Sequence, residues 1–179
     1  MLSDTELISR ARQFDRQTLA QIYDLYSPRL YRYAMRLLGD QNLAEDCISE
    51  TFSRFLQALR ARKGPDNFLQ AYLFRTAHNW IADQYRRQPI PTIELDEQHP
   101  DGNANPEEEA GLRIRQARLR KALRHLTPDQ QQVIALKFFE DWENEEIAHA
   151  MRKPVGAVKS LQHRALASLQ RILLNEELV

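Results

Sequence analysis

The run Trp142-Glu-Asn-Glu-Glu-Ile-Ala-His-Ala-Met-Arg-Lys-Pro-Val-Gly-Ala-Val-Lys-Ser-Leu-Gln-His-Arg-Ala165 decides the fold. Asn144 can cap a short helix carrying Ile147, Ala148 and Met151, and residues 152–156 make a break. A second helix then carries Val158, Leu161, Ala165 and Leu169 at helical spacing. That apolar stripe must face a core. The opposite side therefore presents Lys159, Ser160, His163 and Arg164, residue types that reach phosphates and base edges from the start of a recognition helix. The pattern is a helix–turn–helix. The segment alone leaves open a helical hairpin with a solvated basic face.

Working upstream, Thr127-Pro-Asp-Gln130 is a capping box with proline at the first helical position. It opens a helix holding Val133, Ile134, Leu136, Phe138 and Phe139, and a helix from about Leu112 precedes it with Ile114, Ala117, Leu119, Ala122 and Leu123. Residues 112–179 thus read as one small helical domain. From Gln88 to Gly111 lie Pro89, Pro91, Pro100, Pro106, two glycines, two asparagines and seven acids, the composition of an extended acidic linker over 89–111.

Residues 1–88 form a second helical pattern. Ser3 with Glu6 is a capping box, and Asp15 can start a helix bearing Leu19, Ile22, Tyr23 and Tyr26. Pro28 either interrupts this helix or begins another, which Gly39 ends. Asp40 can cap a helix to about Arg62 with Ala44, Ile48, Phe52, Phe55, Leu56 and Leu59 on its apolar face. Lys63-Gly-Pro-Asp-Asn67 is a turn, and Asp66 can cap a helix carrying Leu69, Tyr72, Leu73, Ala77, Trp80 and Ile81. That stripe leaves Gln70, Phe74, Arg75, His78, Asn79 and Arg86 with better access to solvent, a mixture suited to stacking on splayed bases and holding phosphates, but this face alone leaves open that Phe74 and Tyr85 help the core and the arginines are merely solvated. Few alternating apolar patterns leave little room for a sheet. The expected fold is all-α, two small helical domains joined by a flexible acidic linker.

The 179 residues carry 25 basic and 25 acidic side chains, but the charges are segregated. Residues 1–88 sum to +3, 89–112 to −7 and 113–179 to +4, so the acidic middle masks two mildly basic ends. The single cysteine, Cys47, forbids an internal disulfide and fits a core position. The N-terminus lacks a signal-peptide pattern, and no stretch approaches the roughly 20 apolar residues of a membrane helix, so a cytoplasmic protein is expected. No glycine-rich phosphate loop, nucleophile elbow or zinc motif occurs, and the five histidines do not pair at ligand spacing on one helix. No enzyme, metal or cofactor is expected.

The order of three segments resembles a known family. Residues 43–56, Leu-Ala-Glu-Asp-Cys-Ile-Ser-Glu-Thr-Phe-Ser-Arg-Phe-Leu, resemble the polymerase-docking helix of bacterial sigma factors. Residues 72–87, Tyr-Leu-Phe-Arg-Thr-Ala-His-Asn-Trp-Ile-Ala-Asp-Gln-Tyr-Arg-Arg, resemble their promoter-melting helix, and residues 126–139 resemble the start of their C-terminal promoter-binding domain. The short spacing leaves no middle domain, which is similar to the extracytoplasmic-function group of the sigma-70 family.

The resemblance implies an alternative sigma factor that binds core RNA polymerase, recognises a promoter and melts it. Asp46, Glu50, Phe55 and Gln57 would meet the β′ clamp helices, while the C-terminal domain would grip the β flap. Lys159, Ser160, His163 and Arg164 would read the −35 element. Lys63, Asp66 and Asn67 lie in the loop that would receive an extruded −10 base, and Arg75, Asn79, Arg86 and Arg87 would hold the single strand. The acidic linker would follow the polymerase's RNA path. An anti-sigma factor is a further implied partner, and no membrane insertion is. Many relatives have Arg where this chain has Leu161 and an aliphatic residue at Gln162, so Leu161 is expected to pack. A stand-alone helix–turn–helix regulator is the alternative function.

Overall fold

The computed structural model describes residues 1–88 and 105–177, with no side-chain description beyond Asn175. Among the described residues there are eight α-helices, one π-helical turn and no strand. The N-terminal unit comprises α1 (Asp4–Arg12), α2 (Arg16–Leu38), α3 (Gln41–Arg60) and α4 (Leu69–Arg87). The C-terminal unit comprises α5 (Pro106–Arg124), α6 (Pro128–Ile134), a π turn (Ala135–Phe139), α7 (Asn144–Met151) and α8 (Val155–Glu177).

Local chemistry sets most helix starts. Ser3 Oγ accepts from the Glu6 N–H at 3.3 Å while the Glu6 carboxylate accepts from the Ser3 N–H at 2.8 Å. Thr127 and Gln130 repeat the reciprocal pair, both contacts at 3.2 Å. Such pairs satisfy amide donors that a helix start leaves orphaned. Asp15 and Asp40 cap α2 and α3 through the Thr18 and Leu43 N–H groups. Gly39 ends α2 at φ +65°, a left-handed conformation that costs a residue without Cβ little.

Four expectations change. Pro28 neither interrupts nor starts a helix, because α2 runs unbroken through it. Asp66 does not cap α4: the cap position is Phe68, at φ +52°, and the Leu69 N–H is taken at 3.0 Å by Asp4 at the start of α1. Asn144 lies inside α7, whose cap is Glu143. The C-terminal unit begins at Pro106 rather than Leu112. Asn105 caps that helix, Pro106 needs no N–H partner at its first position, and Glu107, Glu108 and Glu109 complement the positive helix end. The rest of the expected linker, residues 89–104, lies outside the described residues.

The buried side chains form one core that runs through both units. Ile22, Leu30, Tyr33 and Leu37 of α2 meet Phe55 of α3 and Leu73, Phe74 and Ile81 of α4. Leu123, Val133, Leu136, Ile147, Val158 and Ala165 fill the second unit, and Trp142 lies at the junction against Phe74. Cys47 is fully buried within α3, and burial pushes its thiol up to about 12, so it is core filler and not a thiolate.

Candidate nucleic-acid interface

The turn between α7 and α8 is built by Arg152, which reverses the chain at φ +53°, and by the Lys153 N–H bonded to the Ala148 carbonyl at 3.1 Å. α8 then buries Val158, Leu161 and Ala165, and this fixes which face looks out. Lys159, Ser160, His163 and Arg164 are all exposed on the first turns of α8. Leu161 packs, as its place on the stripe requires. Gln162 is half-buried and donates to Asn144 Oδ1 at 2.7 Å, tying the two helices of the motif together. A Lys153–Asp129 ion pair at 3.3 Å fastens the turn to α6.

In the N-terminal unit Lys63, Asp66 and Asn67 are exposed on the loop before α4. Asp66 is engaged by Arg12 at 2.6 Å, and the same guanidinium donates to the Pro65 carbonyl at 3.1 Å, which holds the loop against α1. Asn79, Arg86 and Arg87 are exposed on α4. Arg86 pairs with Asp83 one turn back. Arg75 is half-buried, its guanidinium 5.4 Å from the Tyr72 ring. Burial first, and Arg152 of the second unit next, lower its pKa from the usual arginine value.

Phe74 and His78 do not face solvent as the stripe suggested. They are fully buried, held between Tyr33 of α2 and the C-terminal unit, which contributes Trp142 and the Pro128 carbonyl. The Phe74 ring meets the Trp142 ring edge-on, and His78 joins three elements. Its Nε2 lies 3.1 Å from the Pro128 carbonyl, and its Nδ1 lies 2.8 Å from the Tyr33 hydroxyl. A carbonyl can only accept, so Nε2 carries the proton and the Tyr33 O–H donates to Nδ1. The imidazole is neutral; burial pulls its pKa down to about 4, opposed by the Pro128 carbonyl and Asp129.

Further contacts close the same junction. Phe68 and His149 of α7 stack with centroids 3.6 Å apart and planes 18° from parallel. Arg36 of α2 donates to the Phe139 carbonyl at the end of the π turn. Arg124 of α5 donates to the Tyr85 and Gln88 carbonyls, at 3.2 and 2.6 Å, where α4 ends. Cations at helix C-termini meet the negative ends of peptide dipoles. Neither the stacking ring of His149 nor the guanidinium of Arg124 was legible as an interface group. Both lie on polar faces of their own helices, and only the docking of one unit on the other gives them partners.

On α3, Asp46 and Gln57 are exposed, and Glu50 is partly exposed and paired with Arg54 at 2.9 Å. These three share an outward stripe with Ser53. Phe55 lies on the opposite side, 1% exposed, its ring 5.9 Å from Tyr72. It is a core residue and is not available to a partner. Tyr23 of α2, about half exposed and 4.8 Å from Phe52 of α3, is an aromatic group that does reach the surface. Among the described residues no cluster of three potential metal ligands occurs, and no helix is long and apolar enough to cross a membrane.

The pattern of sigma-70 region 2 matches residues 22–89, and that of sigma-70 region 4 matches residues 116–169. The chain is 33% identical over 172 residues to the ECF RNA polymerase sigma factor BldN of Streptomyces coelicolor, covering 94% of this chain and 65% of BldN. It is 30% identical over 171 residues to the ECF RNA polymerase sigma factor SigX of Bacillus subtilis, covering 91% of this chain and 88% of SigX. In fold it is similar to CnrH as seen in complex with the cytosolic domain of CnrY, with a TM-score of 0.70 at 23% identity over 95% of this chain and 96% of CnrH. Two sigma regions in their order within one all-helical chain, together with these relatives, show that the chain belongs to the extracytoplasmic-function group of sigma-70 RNA polymerase sigma factors.

Proposed function

We propose a division of labour between the two units of this alternative sigma factor, which directs core RNA polymerase to its promoters. The N-terminal unit, residues 1–88, docks on the β′ clamp helices and captures the −10 element as single strand. The C-terminal unit, residues 112–179 extended back to the start of α5, sits on the β flap and reads the −35 element. Residues 89–111 connect them with an acidic segment along the RNA path. The observation that carries this reading is the succession of region 2 and region 4 in one chain that spans 88% of SigX.

Lys159 and Arg164 have the exposure and charge to clamp phosphates or guanine edges, with Ser160 and His163 beside them. Lys63 and Asn67 flank the pocket for an extruded base, with Asp66 available once Arg12 releases it. Arg75, Asn79, Arg86 and Arg87 hold the strand. Asp46, Glu50 and Gln57 form the docking stripe, and Tyr23 with Phe52 offers an aromatic surface on the same unit. The protein works in the cytoplasm without chemistry of its own, and an anti-sigma factor is its natural antagonist.

Transcription by sigma-free core polymerase on a pooled genomic template tests the reading. Discrete new start sites sharing two upstream elements are expected. No initiation with the cognate core, alongside tight sequence-specific binding to duplex DNA without polymerase, would favour a stand-alone regulator.

A further inference from the structure

We propose that Arg12 is a positioning residue that sets the base preference of the loop before α4. It holds Asp66 through one carboxylate oxygen and leaves the other to accept from the exocyclic amino group of cytosine or adenine, which disfavours guanine and thymine. The proposal rests on the reading of this loop as the receiver of an extruded −10 base, and it names the class of base received.

The two ends of α1 fix the two ends of the loop. After α3, Arg62 turns at φ +55° and Gly64 at φ +102°, and the Lys63 N–H closes on the Ala58 carbonyl at 2.8 Å. Pro65 is buried, and its carbonyl accepts from Nη2 of Arg12, the last residue of α1, at 3.1 Å. At the far end the Leu69 N–H donates to Asp4, the first residue of α1, at 3.0 Å. Between these two contacts α1 buries Leu7, Ile8 and Ala11, so the helix is tied to the core of the N-terminal unit. Asp66 and Asn67 are consecutive exposed residues held between anchors, and the Asp66 side chain is 86% exposed.

Arg12 also changes what Asp66 can recognise. The same Nη2 donates to Asp66 Oδ1 at 2.6 Å, and among the described residues no second group donates to that carboxylate. An ionised carboxylate only accepts, through two oxygens. With both free it matches the Watson–Crick edge of guanine, whose N1–H and N2–H donors lie side by side. With Oδ1 taken, Oδ2 offers one acceptor, which suits the single amino group of cytosine (N4) or adenine (N6). The Asn67 amide can donate to the ring nitrogen beside that amino group. Thymine has no amino group to offer. Complete release of Asp66 from Arg12 is required only by guanine, and its cost falls on that base alone. The paired guanidinium also offsets the carboxylate charge that would otherwise repel the phosphates of an incoming strand.

The test varies one base at a time where no duplex has to melt. Promoters come from the start sites that the full chain gives with cognate core polymerase on a pooled genomic template. Their −10 region is then opened by mismatches, so that the non-template base changes without changing duplex stability. One −10 position is expected at which the unaltered chain initiates about ten-fold better with cytosine or adenine than with guanine or thymine. Arg12→Met keeps the apolar stem and removes the donors. It is expected to raise guanine relative to cytosine at that position by about ten-fold. Arg12→Lys restores a donor for Oδ1 and should restore the original ranking, and Asp66→Ala should abolish it.

The readout is a ratio between bases, so it does not depend on how much of each variant is folded. An unchanged ranking in Arg12→Met, or a loss shared equally by all four bases as from a loosened loop, overturns the proposal and leaves the sigma-factor reading standing. So does an unaltered chain that favours no amino-bearing base at any −10 position. Absence of any start site from the unaltered chain overturns the sigma-factor reading and the proposal with it.

Discussion

Phe74 of α4 meets Trp142 of the C-terminal unit edge-on, with ring centroids 5.0 Å apart and planes at 60°. Both rings are buried, and their contact makes the cores of the two units continuous. Edge-on pairs of this kind add about 0.5–1.5 kcal/mol to the burial of the rings themselves. The indole N–H of Trp142 has no acceptor among the described residues, so the ring contributes through packing and not through its polar handle.

Trp142→Ala should therefore lower stability by about 3–5 kcal/mol in urea denaturation, from lost contacts and the cavity left behind. Trp142→Phe should cost much less, about 1 kcal/mol, because it removes an unsatisfied buried donor along with part of the ring. Equal losses from the two substitutions would mean that the indole nitrogen has a partner that the fold does not reveal.

His78 predicts a pH dependence with a definite sign. Burial holds the folded imidazole near 4, against an ordinary value of 6.5. A base whose pKa falls on folding contributes stability that is complete above 6.5 and is lost as pH drops from 6.5 toward 4. The loss attributable to His78 is about 1 kcal/mol by roughly pH 5.5. Glu140 works in the opposite direction, since burial raises its carboxyl. Comparing the chain with His78→Gln isolates the imidazole: the difference in stability between the two proteins should shrink on acidification. A difference that stays constant with pH would show that His78 does not titrate with unfolding.

The individual helices were largely legible, because their start signals are local. The Ser3–Glu6 and Thr127–Gln130 boxes act over three residues and form as written. The outward face of α8 was legible too, since Val158, Leu161 and Ala165 leave only one orientation for Lys159 and His163. The burial of His78 was not, and that of Phe74 was legible only as one of two readings. Both lie beside the α4 stripe, against Tyr33 of α2, and periodicity says nothing about a second unit closing over them with Trp142 and Pro128. The cap of α4 was missed for the same reason, because Asp4 reaches Leu69 across the fold and not along the chain.

Phe55 and Gln57 are two residues apart on α3 and should behave as opposites. Phe55→Ala removes a buried ring and should destabilise the fold by about 3–5 kcal/mol, so any loss of polymerase affinity will track loss of folded protein. Gln57→Ala and Asp46→Ala alter exposed side chains and should leave stability within about 0.5 kcal/mol while weakening binding to core polymerase. Thermal denaturation and core-binding titrations on the same preparations separate the two effects. Full core affinity in folded Gln57→Ala and Asp46→Ala would clear that stripe of a docking role.

Lys159 and Leu161 make the corresponding contrast on α8, and here salt is the discriminating variable. Lys159 is exposed one turn into the helix, where a phosphate contact releases counterions on binding. Lys159→Ala should weaken promoter binding by the polymerase complex, and the slope of log affinity against log salt should become shallower by about 0.9, the contribution of one phosphate on duplex DNA. Leu161 is buried on α8, the helix that packs on α6 and α7, and is not open to a phosphate. Leu161→Ala should weaken binding through instability of the helix–turn–helix, with the salt slope unchanged. If Lys159→Ala lowers affinity at one base pair only and leaves the slope intact, Lys159 reads a guanine edge without neutralising a phosphate. If Leu161→Ala changes the slope, the recognition helix is rotated on DNA relative to the face that its packing defines.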